Sequence, residues 1–390
     1  MTSGVEAEYD LLDVDLYVDG DPETVFRTLR AHQPVYWQAD PGFFAITTHA
    51  GVGEALRAVE AMSSAAGTDV EDMPDDWPRS ILHMDPPRHT KVRKLLGPEF
   101  APRSMAALEA QIRGIVRQLL GSIPFDEEFD FAATVADRLP MLVIGRLIGI
   151  PEADDERFKE WNTISIVEEP FGPTVRGIVR EMVEYFAWLR ERRLEDPQDD
   201  IVSRLAHARI DGEPLDDVEF FGNLRTLMTG GQDTTSNLIS GGVLELVRHP
   251  EAWTALQSDP GLLPVAIEEM IRYIPQVMYL ARRALIDITV EGTTMPAGST
   301  VALFFVSANR DEQVFADPGR FEIARSPNPH LGFGFGRHFC IGAPLARLEA
   351  RIMFEELLQT IGQIEVHDIH RLRSNIFPGI DRLRVVASAA

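Results

Sequence analysis

The sequence predicts a mainly α-helical fold with small β-sheets, organised as a single large domain. Helical patterns dominate from about residue 87 to 275, with proline and glycine between them. Strand-like patterns are few and short, and they occur before and after this helical region. No repeat, low-complexity tract or long flexible linker divides the 390 residues, so one domain is favoured over the two or three suggested by length alone.

The N-terminal part of the chain predicts an arm followed by a hairpin. Residues 1–20 are acidic and have no clear period, so we predict an irregular arm there and the domain over residues 21–390. Residues 35–39 and 43–47 read as two strands joined by Asp-Pro-Gly, a sequence typical of a tight turn.

The rest of the chain predicts helices with a little additional strand. Asp199-Asp200 precedes an apolar run and predicts a helix start, and one long helix is predicted over residues 216–248. Residues 286–291 and 300–306 are strand-like, and Met295-Pro296-Ala297-Gly298 is predicted to join them. A last helix is predicted to begin near Pro344, because apolar residues then recur at helical spacing.

Composition places the chain among cytoplasmic globular proteins. Hydrophobic residues make up 45% of the sequence, which is enough for a large core. No apolar run reaches the roughly 20 residues that a membrane-spanning helix requires. The N-terminus has no basic region followed by an apolar stretch, so no secretory signal is predicted.

The charged residues and the single cysteine exclude several kinds of site. A net charge of −24 argues against binding to nucleic acid or to an anionic membrane surface. One cysteine allows no intrachain disulfide and no zinc or iron–sulfur site with several thiolates.

That cysteine, Cys340, lies within HLGFGFGRHFCIGAPLARLE, residues 330–349. Four glycines let the backbone turn tightly and let a flat ligand approach without Cβ clashes: Gly332, Gly334, Gly336 and Gly342. A helix N-terminus follows, and its N–H groups and dipole favour a thiolate. A lone cysteine is usually an inert structural residue. Here the setting instead favours a metal-ligating sulfur that Phe333 is placed to shield from water.

The long predicted helix contains an unusual central segment, Gly230-Gly231-Gln232-Asp233-Thr234-Thr235. Each glycine inside a helix costs about 1 kcal/mol relative to alanine, and paired threonines weaken the helix further. Such a segment indicates either a functional distortion or close packing of another element against small residues.

The cysteine segment resembles the haem-binding signature of the cytochrome P450 family. The signature has a phenylalanine, a glycine, a histidine or arginine, the cysteine and another glycine at fixed spacing, and the chain has Phe333, Gly336, His338, Cys340 and Gly342. The resemblance covers roughly residues 20 to 385. It implies a fold that encloses haem b between a long distal helix and a proximal cysteine loop, with Cys340 as the iron ligand.

The resemblance also assigns the central segment of the long helix. In the family this segment crosses the distal face of the haem, where an acid and an alcohol relay protons to bound O₂. Position by position, Asp233 is the acid and Thr234 the alcohol, and both are predicted to be catalytic. The chain departs from the commonest family pattern at Gly230, where alanine is frequent, and at Gln232.

Four residues are predicted from the resemblance to bind the haem propionates: His89, Arg93, Arg282 and His338. Arginine suits this role because its planar fork can bind a carboxylate with two hydrogen bonds. Arg283, next to Arg282, is an alternative for the same contact. The chain has Arg88 where the family motif usually has glutamate.

Glu269 and Arg272 place opposite charges three residues apart on one helical face. Alone, such a pair is usually exposed and stabilises a helix by only tenths of a kcal/mol. In the family the same Glu-x-x-Arg is a buried structural pair, and the resemblance predicts Arg320 as its third partner.

Electrons are predicted to come from separate proteins, because no dinucleotide fingerprint follows a strand and no flavin domain is fused to the chain. We expect NAD(P)H as the source, with a ferredoxin and a ferredoxin reductase as carriers. A basic patch near the cysteine is predicted to attract an acidic ferredoxin, with scattered surface charges as the alternative. It would consist of Lys91, Lys94, Arg337, Arg347 and Arg351.

The substrate is predicted to be a hydrophobic small molecule in a largely apolar pocket. By resemblance the pocket is lined by residues 67–82, 164–173, 277–280 and 376–377, with Leu227 and Gly230. The aromatic and apolar side chains on which this expectation rests are Trp77, Met278, Tyr279 and Phe377.

The predicted function is a haem-thiolate monooxygenase of secondary metabolism or catabolism that hydroxylates or epoxidises its substrate, acting as a monomer. Oxidative coupling or ring formation by the same chemistry remains an alternative. Peroxide-driven catalysis is disfavoured because Asp233-Thr234 implies proton delivery. A haem sensor or electron carrier would instead have two protein ligands on the iron, or no distal acid–alcohol pair.

Overall fold

Fourteen α-helices form the main part of the fold in a computed structural model, which describes residues 8–167 and 171–390. They are α1 (Val14–Val18), α2 (Pro22–His32), α3 (His49–Arg57), α4 (Arg88–Leu96), α5 (Pro102–Gly121), α6 (Arg138–Ile148), α7 (Asp155–Val167), α8 (Pro173–Glu195), α9 (Ile201–His207), α10 (Asp217–Arg248), α11 (Pro250–Ser258), α12 (Leu263–Tyr273), α13 (Phe305–Ala308) and α14 (Ala343–Thr360). The predicted fold class, mainly helical with small sheets, is confirmed.

Twelve short strands form four small sheets in the same described residues. They are β1 (Val35–Gln38), β2 (Phe43–Ile46), β3 (Met62–Ser63), β4 (Glu128–Asp130), β5 (Arg209–Ile210), β6 (Glu213–Pro214), β7 (Tyr279–Ala284), β8 (Ile288–Val290), β9 (Thr293–Met295), β10 (Thr300–Phe304), β11 (Ile361–Arg371) and β12 (Ile380–Ala389). The largest sheet has the order β1-β2-β10-β7-β3, in which β2 and β10 run parallel. The others are β11-β12-β4 and the hairpins β5-β6 and β8-β9.

The predicted N-terminal hairpin is confirmed, whereas the second strand prediction needs correction. β1 and β2 pair antiparallel, with Val35 opposite Ile46. The strand predicted over residues 286–291 does not join β10, because Glu291 and Gly292 adopt positive φ angles of 48° and 77° and turn the chain straight back into β9. β10 pairs instead with β7, a strand that the sequence did not predict.

The N-terminal arm is more ordered than predicted from residue 8 onwards, while residues 1–7 lie outside the described residues. Leu11 is completely buried, and its backbone N–H donates to Oε1 of Gln38 at 2.8 Å. The carboxylate of Asp13 accepts from Asp15 N and caps α1. The described part of the arm therefore packs on the domain.

Helix α10 crosses the molecule and is α-helical throughout, so the predicted local distortion is absent. Asp216 caps its first turn by accepting from Glu219 N at 2.7 Å. A Cβ on Gly231 would lie 3.2 Å from Ile144 of α6, a tighter approach than most side chains make. The close packing of α6 against α10 thus explains why a glycine occupies position 231.

Helix α14 follows the cysteine loop directly and contributes to the main core. It begins at Ala343, as predicted, and buries Leu345, Leu348 and Ile352 against α5, α10 and α12. The cysteine loop is thereby attached to the centre of the helical core. Among the described helices, none is both long and apolar enough to span a membrane.

Candidate active site

Cys340 lies in the loop that leads into α14. The backbone before it turns at Gly334 and Gly336, whose φ angles of 68° and 73° fall in the left-handed region that other residues rarely adopt. The backbone N–H of Cys340 donates to the carbonyl of Phe333 at 2.9 Å and closes the loop. The sulfur is therefore held at a fixed position beside the N-terminus of α14.

The surroundings of this sulfur determine its protonation. Cys340 is an exposed residue, but many protein atoms surround its sulfur, and this burial raises the pKa of the thiol. The backbone N–H groups of Gly342 and Ala343 and the guanidinium of Arg93 act in the opposite direction. The site therefore favours a thiolate when a cation such as a metal ion binds the sulfur.

Two histidine rings lie in contact next to the cysteine loop, tilted by 41° to each other. The ring centroids of His89 on α4 and His338 lie 4.3 Å apart. Burial, with Arg282 and His89, lowers the pKa of His338 to about 3, and burial likewise lowers the pKa of His89. His89 is 2% exposed, and neither of its ring nitrogens has a hydrogen-bond partner among the described residues. Both rings are thus neutral donors near neutral pH.

Two arginines complete this cluster. Nη2 of Arg93 donates to the carbonyl of Phe339 in the cysteine loop at 2.7 Å. Arg282 lies within β7 and is 5% exposed, and burial lowers its pKa to about 10. Its one hydrogen bond to a described residue goes to the carbonyl of Ala281 at 2.7 Å. Neither guanidinium is paired with a carboxylate among the described residues.

The cluster fits a haem. Haem carries two propionates at one edge of a flat apolar ring, and four residues offer donors beside Cys340: His89, Arg93, Arg282 and His338. A buried donor left without an acceptor costs roughly 1–3 kcal/mol, so the unpartnered nitrogens of His89 and the unpaired Arg282 indicate a bound anionic group. All four residues predicted for this contact lie in the one cluster.

The neighbouring arginines have other partners. Arg283 forms an ion pair with Asp72, so Arg282 is the arginine available to the cluster. Arg88, which replaces the usual glutamate, donates from Nε to Oε1 of Glu219 on α10 at 2.7 Å. The departure from the family pattern therefore links α4 to the start of the distal helix.

On the distal side, α10 presents an open position next to a hydroxyl. A Cβ on Gly230 would meet no atom within 4 Å, unlike one on Gly231. Oγ1 of Thr234 donates to the carbonyl of Gly230 at 2.9 Å. Asp233 is half-buried in the same turn. Open space therefore lies directly beside the predicted acid–alcohol pair.

The buried ion pair is confirmed, but its predicted third partner is wrong. Glu269 and Arg272 are both buried, with two hydrogen bonds of 2.7 Å between them. The third cation is Arg325, whose Nε lies 3.1 Å from both oxygens of Glu269. Arg320 is exposed and contributes only its carbonyl, which accepts from Arg272 at 3.1 Å.

The turn at Asp317 explains this correction. Asp317 has a φ of 46°, which reverses the chain so that the Arg320 side chain points outward. Arg325 then reaches back under the turn and donates to the carbonyls of Ala316 and Asp317 at 2.7 and 3.3 Å. No local signal distinguishes the two arginines in the sequence.

The predicted basic patch is smaller than expected. Lys91, Arg347 and Arg351 form ion pairs with carboxylates at 2.5, 2.6 and 2.8 Å. Lys94 and Arg337 are exposed and have no ion pair with any described residue. Two of the five predicted cations therefore keep an uncompensated charge.

Three of the residues predicted to line a substrate pocket lie in different surroundings. Trp77 is buried, with its ring edge-on to Phe171 at 4.9 Å. Tyr279 belongs to the core instead, beside Phe304. Phe377 is 43% exposed. The predicted lining segment 164–173 lies partly outside the described residues.

Comparison with known proteins identifies the family. A family model described as Cytochrome P450 matches residues 261–364. The cyclomarin C epoxidase of Salinispora arenicola is 37% identical over 352 residues, covering 87% of this chain and 89% of the relative. The erythromycin C-12 hydroxylase of Saccharopolyspora erythraea is 36% identical over 375 residues, covering 93% and 94%.

Solved structures agree with this result. A cytochrome P450 from Chondromyces apiculatus superposes with a TM-score of 0.87 at 33% identity, covering 95% of this chain and 96% of that one. The similarity thus extends over nearly the whole chain, including the cysteine loop and the distal helix. The chain belongs to the cytochrome P450 family and is a haem-dependent monooxygenase.

Proposed function

We propose that the chain uses O₂ and electrons from NAD(P)H to hydroxylate or epoxidise a hydrophobic small molecule. The observation that carries this proposal is the cluster of four unpaired or neutral donors beside Cys340, together with the open position at Gly230 on α10. Relatives named for an epoxidation and for a hydroxylation support it. When bound, haem b supplies the activation of O₂ and the transfer of one oxygen atom.

Five residues of the chain are proposed to bind the haem. In this proposal Cys340 is the iron ligand, and His89, Arg93, Arg282 and His338 bind the propionates. Two neutral imidazoles and two guanidinium groups suit two carboxylates. Each N–H donor gains an acceptor, and the two negative charges balance the two guanidinium charges.

Thr234 and Asp233 are proposed to move protons on the distal side. Oγ1 of Thr234 donates to the Gly230 carbonyl, which leaves its lone pairs free to accept from a water or a ligand in the open space. Asp233 is one residue away and half-buried, so it is accessible to water. Together they form a route from solvent to the hydroxyl of Thr234.

A separate ferredoxin, reduced by its reductase, is the proposed electron donor. Lys94 and Arg337 carry unpaired charges, and Phe335 and Phe339, 45% and 37% exposed, flank Arg337 close to Cys340. Exposed aromatics with uncompensated cations are suited to an acidic partner, particularly on a chain of net charge −24. We name these four residues the docking face.

The proposal also covers the location, the oligomeric state and the domain organisation of the protein. We propose a cytoplasmic monomer in which residues 21–390 form one catalytic domain and residues 1–20 an arm. The single cysteine supports a reducing compartment, because Cys340 must remain a free thiolate to bind iron.

The proposed function is tested by the absorption spectrum of the reduced, CO-treated protein. Wild-type protein should show the red-shifted Soret band of thiolate-ligated haem, and Cys340→Ser should lose that band. Cys340→His is a second variant, which should keep haem but show the spectrum of an imidazole ligand. A colourless wild type, or a thiolate band that persists in Cys340→Ser, contradicts the proposal.

The docking face is tested by stopped-flow reduction with a ferredoxin. Lys94→Glu and Arg337→Glu should each slow the first electron transfer by about tenfold at low salt and weaken its dependence on ionic strength. Arg27→Glu, at an exposed cation on α2, is the control and should leave the rate unchanged. If Lys94→Glu and Arg337→Glu are reduced as fast as the control Arg27→Glu, the docking face is rejected.

A further inference from the structure

Arg225 on α10 is a second arginine without a carboxylate partner among the described residues, and its side chain is half-buried. Its Nε is fully buried and has no hydrogen-bond acceptor. Burial lowers the pKa of Arg225 to about 10. An unpaired guanidinium in such a place is costly, and a cation kept there despite the cost points to an anionic ligand.

The aromatic ring of Trp77 supports this guanidinium. The Cζ atom of Arg225 lies 4.9 Å from the centre of the ring. Arg176 approaches the same ring at 5.9 Å, but it also pairs with Asp76 at 2.8 Å and donates to the carbonyl of Phe171. The two arginines share one aromatic partner, and Arg225 alone of the two lacks an anion.

Three polar side chains that are linked by hydrogen bonds lie beside Arg225. Oγ1 of Thr226 donates to Oγ of Ser80 at 2.7 Å, and that oxygen lies 3.3 Å from Nδ1 of His83. Burial, with Arg225 as the next cause, lowers the pKa of His83 to about 4. Nε2 of the neutral His83 has no hydrogen bond to a described residue, so it is available to a ligand.

Arg225 and Thr226 lie on α10, the helix of the proposed proton route. Arg225 precedes Thr234 by nine residues, which is about 13 Å along the helix axis. The open position at Gly230 lies between them. His83 also connects Arg225 to the proposed haem site, because Arg282 is a further cause of its lowered pKa. A molecule held by Arg225 and His83 would therefore lie beside that site.

We propose that Arg225, supported by Trp77 and His83, binds the carboxylate of an otherwise apolar substrate. Arg225 is thus a specificity-determining residue, and the substrate class is a medium-chain or aromatic carboxylic acid oxidised far from its acid group. This inference rests on the proposed function, because it places the substrate on the distal side of the haem.

Binding of matched ligands to the haem-loaded protein tests the inference. Decanoate and decanamide have the same length, as do 2-naphthoate and 2-naphthamide, and each pair differs in charge. Equilibrium dialysis should show each acid binding at least tenfold more tightly than its amide. Arg225→Gln should raise the Kd of the acids at least tenfold and that of the amides less than threefold, and Arg225→Lys should retain part of the preference.

Arg176→Gln is the matched control, since it removes a guanidinium from the same ring and should preserve the preference for acids. The inference is overturned if neither acid binds wild type more tightly than its amide, or if Arg225→Gln weakens acids and amides equally. The CO spectrum of each variant separates the two proposals. A thiolate band without acid preference rejects the carboxylate site alone, whereas a missing band in wild type rejects the proposed function.

Discussion

The imidazole rings of His89 and His338 lie 4.3 Å apart, although 249 residues separate them in the sequence. One ring comes from the first turn of α4 and the other from the cysteine loop. Because both rings are neutral, they lie in contact without charge repulsion, and each carries one N–H donor. The pair thus joins α4 to the loop that holds Cys340.

Replacing His89 should weaken haem binding rather than folding. His89→Phe keeps a ring of similar size against His338 but removes both unpartnered nitrogens. Losing a hydrogen bond to a charged group costs about 1.5–3 kcal/mol, so haem loss to an acceptor such as apomyoglobin should accelerate at least tenfold. His32→Phe, at an exposed position on α2, is the control. Unchanged haem loss in His89→Phe would contradict the assignment.

Removing the hydroxyl of Thr234 should uncouple electron use from product formation. Thr234→Ala leaves the helix intact because the lost bond is a side-chain bond to Gly230 O. A positioned proton donor typically contributes 10²–10⁴-fold, so product per NAD(P)H should fall at least about tenfold while hydrogen peroxide rises.

Thr229→Ala is the matched control for this experiment. Thr229 also donates to the carbonyl four residues earlier, that of Arg225, at 3.2 Å on the same helix. Its loss should leave coupling near the wild-type value. If both variants uncouple equally, the effect belongs to the helix and Thr234 has no special role.

Arg325 and Arg320 should differ sharply in their contribution to stability. Arg325→Met removes a buried guanidinium from Glu269 and leaves the carbonyl of Ala316 without its donor. Breaking a buried ion pair on one side costs about 3–5 kcal/mol. Arg320→Met should cost less than about 0.5 kcal/mol, because that side chain is exposed. Urea unfolding of the two variants measures the difference, and equal losses would refute the assignment.

The elements that the sequence predicted well have strong local causes. Asp200 and Asp216 cap α9 and α10 where predicted, since a carboxylate before an apolar run satisfies free N–H groups of the first turn. The hairpin of β1 and β2 likewise depends on its own turn. Residues within the cysteine loop were predictable because their spacing to Cys340 is fixed by the loop itself.

The errors arise where distant segments meet. Arg325 lies 56 residues from Glu269, and the turn at Asp317 that brings it there leaves no periodic pattern. In the same way, Gly230 and Gly231 look equivalent in the sequence. Only the packing of Ile144 against Gly231 separates them, and it leaves Gly230 as the open position.

Asp137 gives the fold a predictable dependence on pH. Burial raises the pKa of Asp137 to about 6, although the carboxylate accepts a hydrogen bond from Ser236 of α10. Because its folded pKa lies above the unfolded value of about 4, the folded state retains a proton that the unfolded chain releases. The resulting stabilisation is complete below about pH 4 and is lost as the pH rises through about 6.

Asp137→Asn should therefore stabilise the protein above pH 6 and change little at pH 4. Asparagine resembles the protonated acid and can still accept the bond from Ser236, so the gain should be on the order of 3 kcal/mol at pH 7. Thermal unfolding of the holoprotein from pH 4 to 8 measures the difference from wild type. Asp75→Asn, at a fully exposed carboxylate, controls for the loss of one negative charge. A constant difference between Asp137→Asn and wild type across that range would show that Asp137 is not the titrating group, because a proton linkage must change the difference between pH 4 and 6.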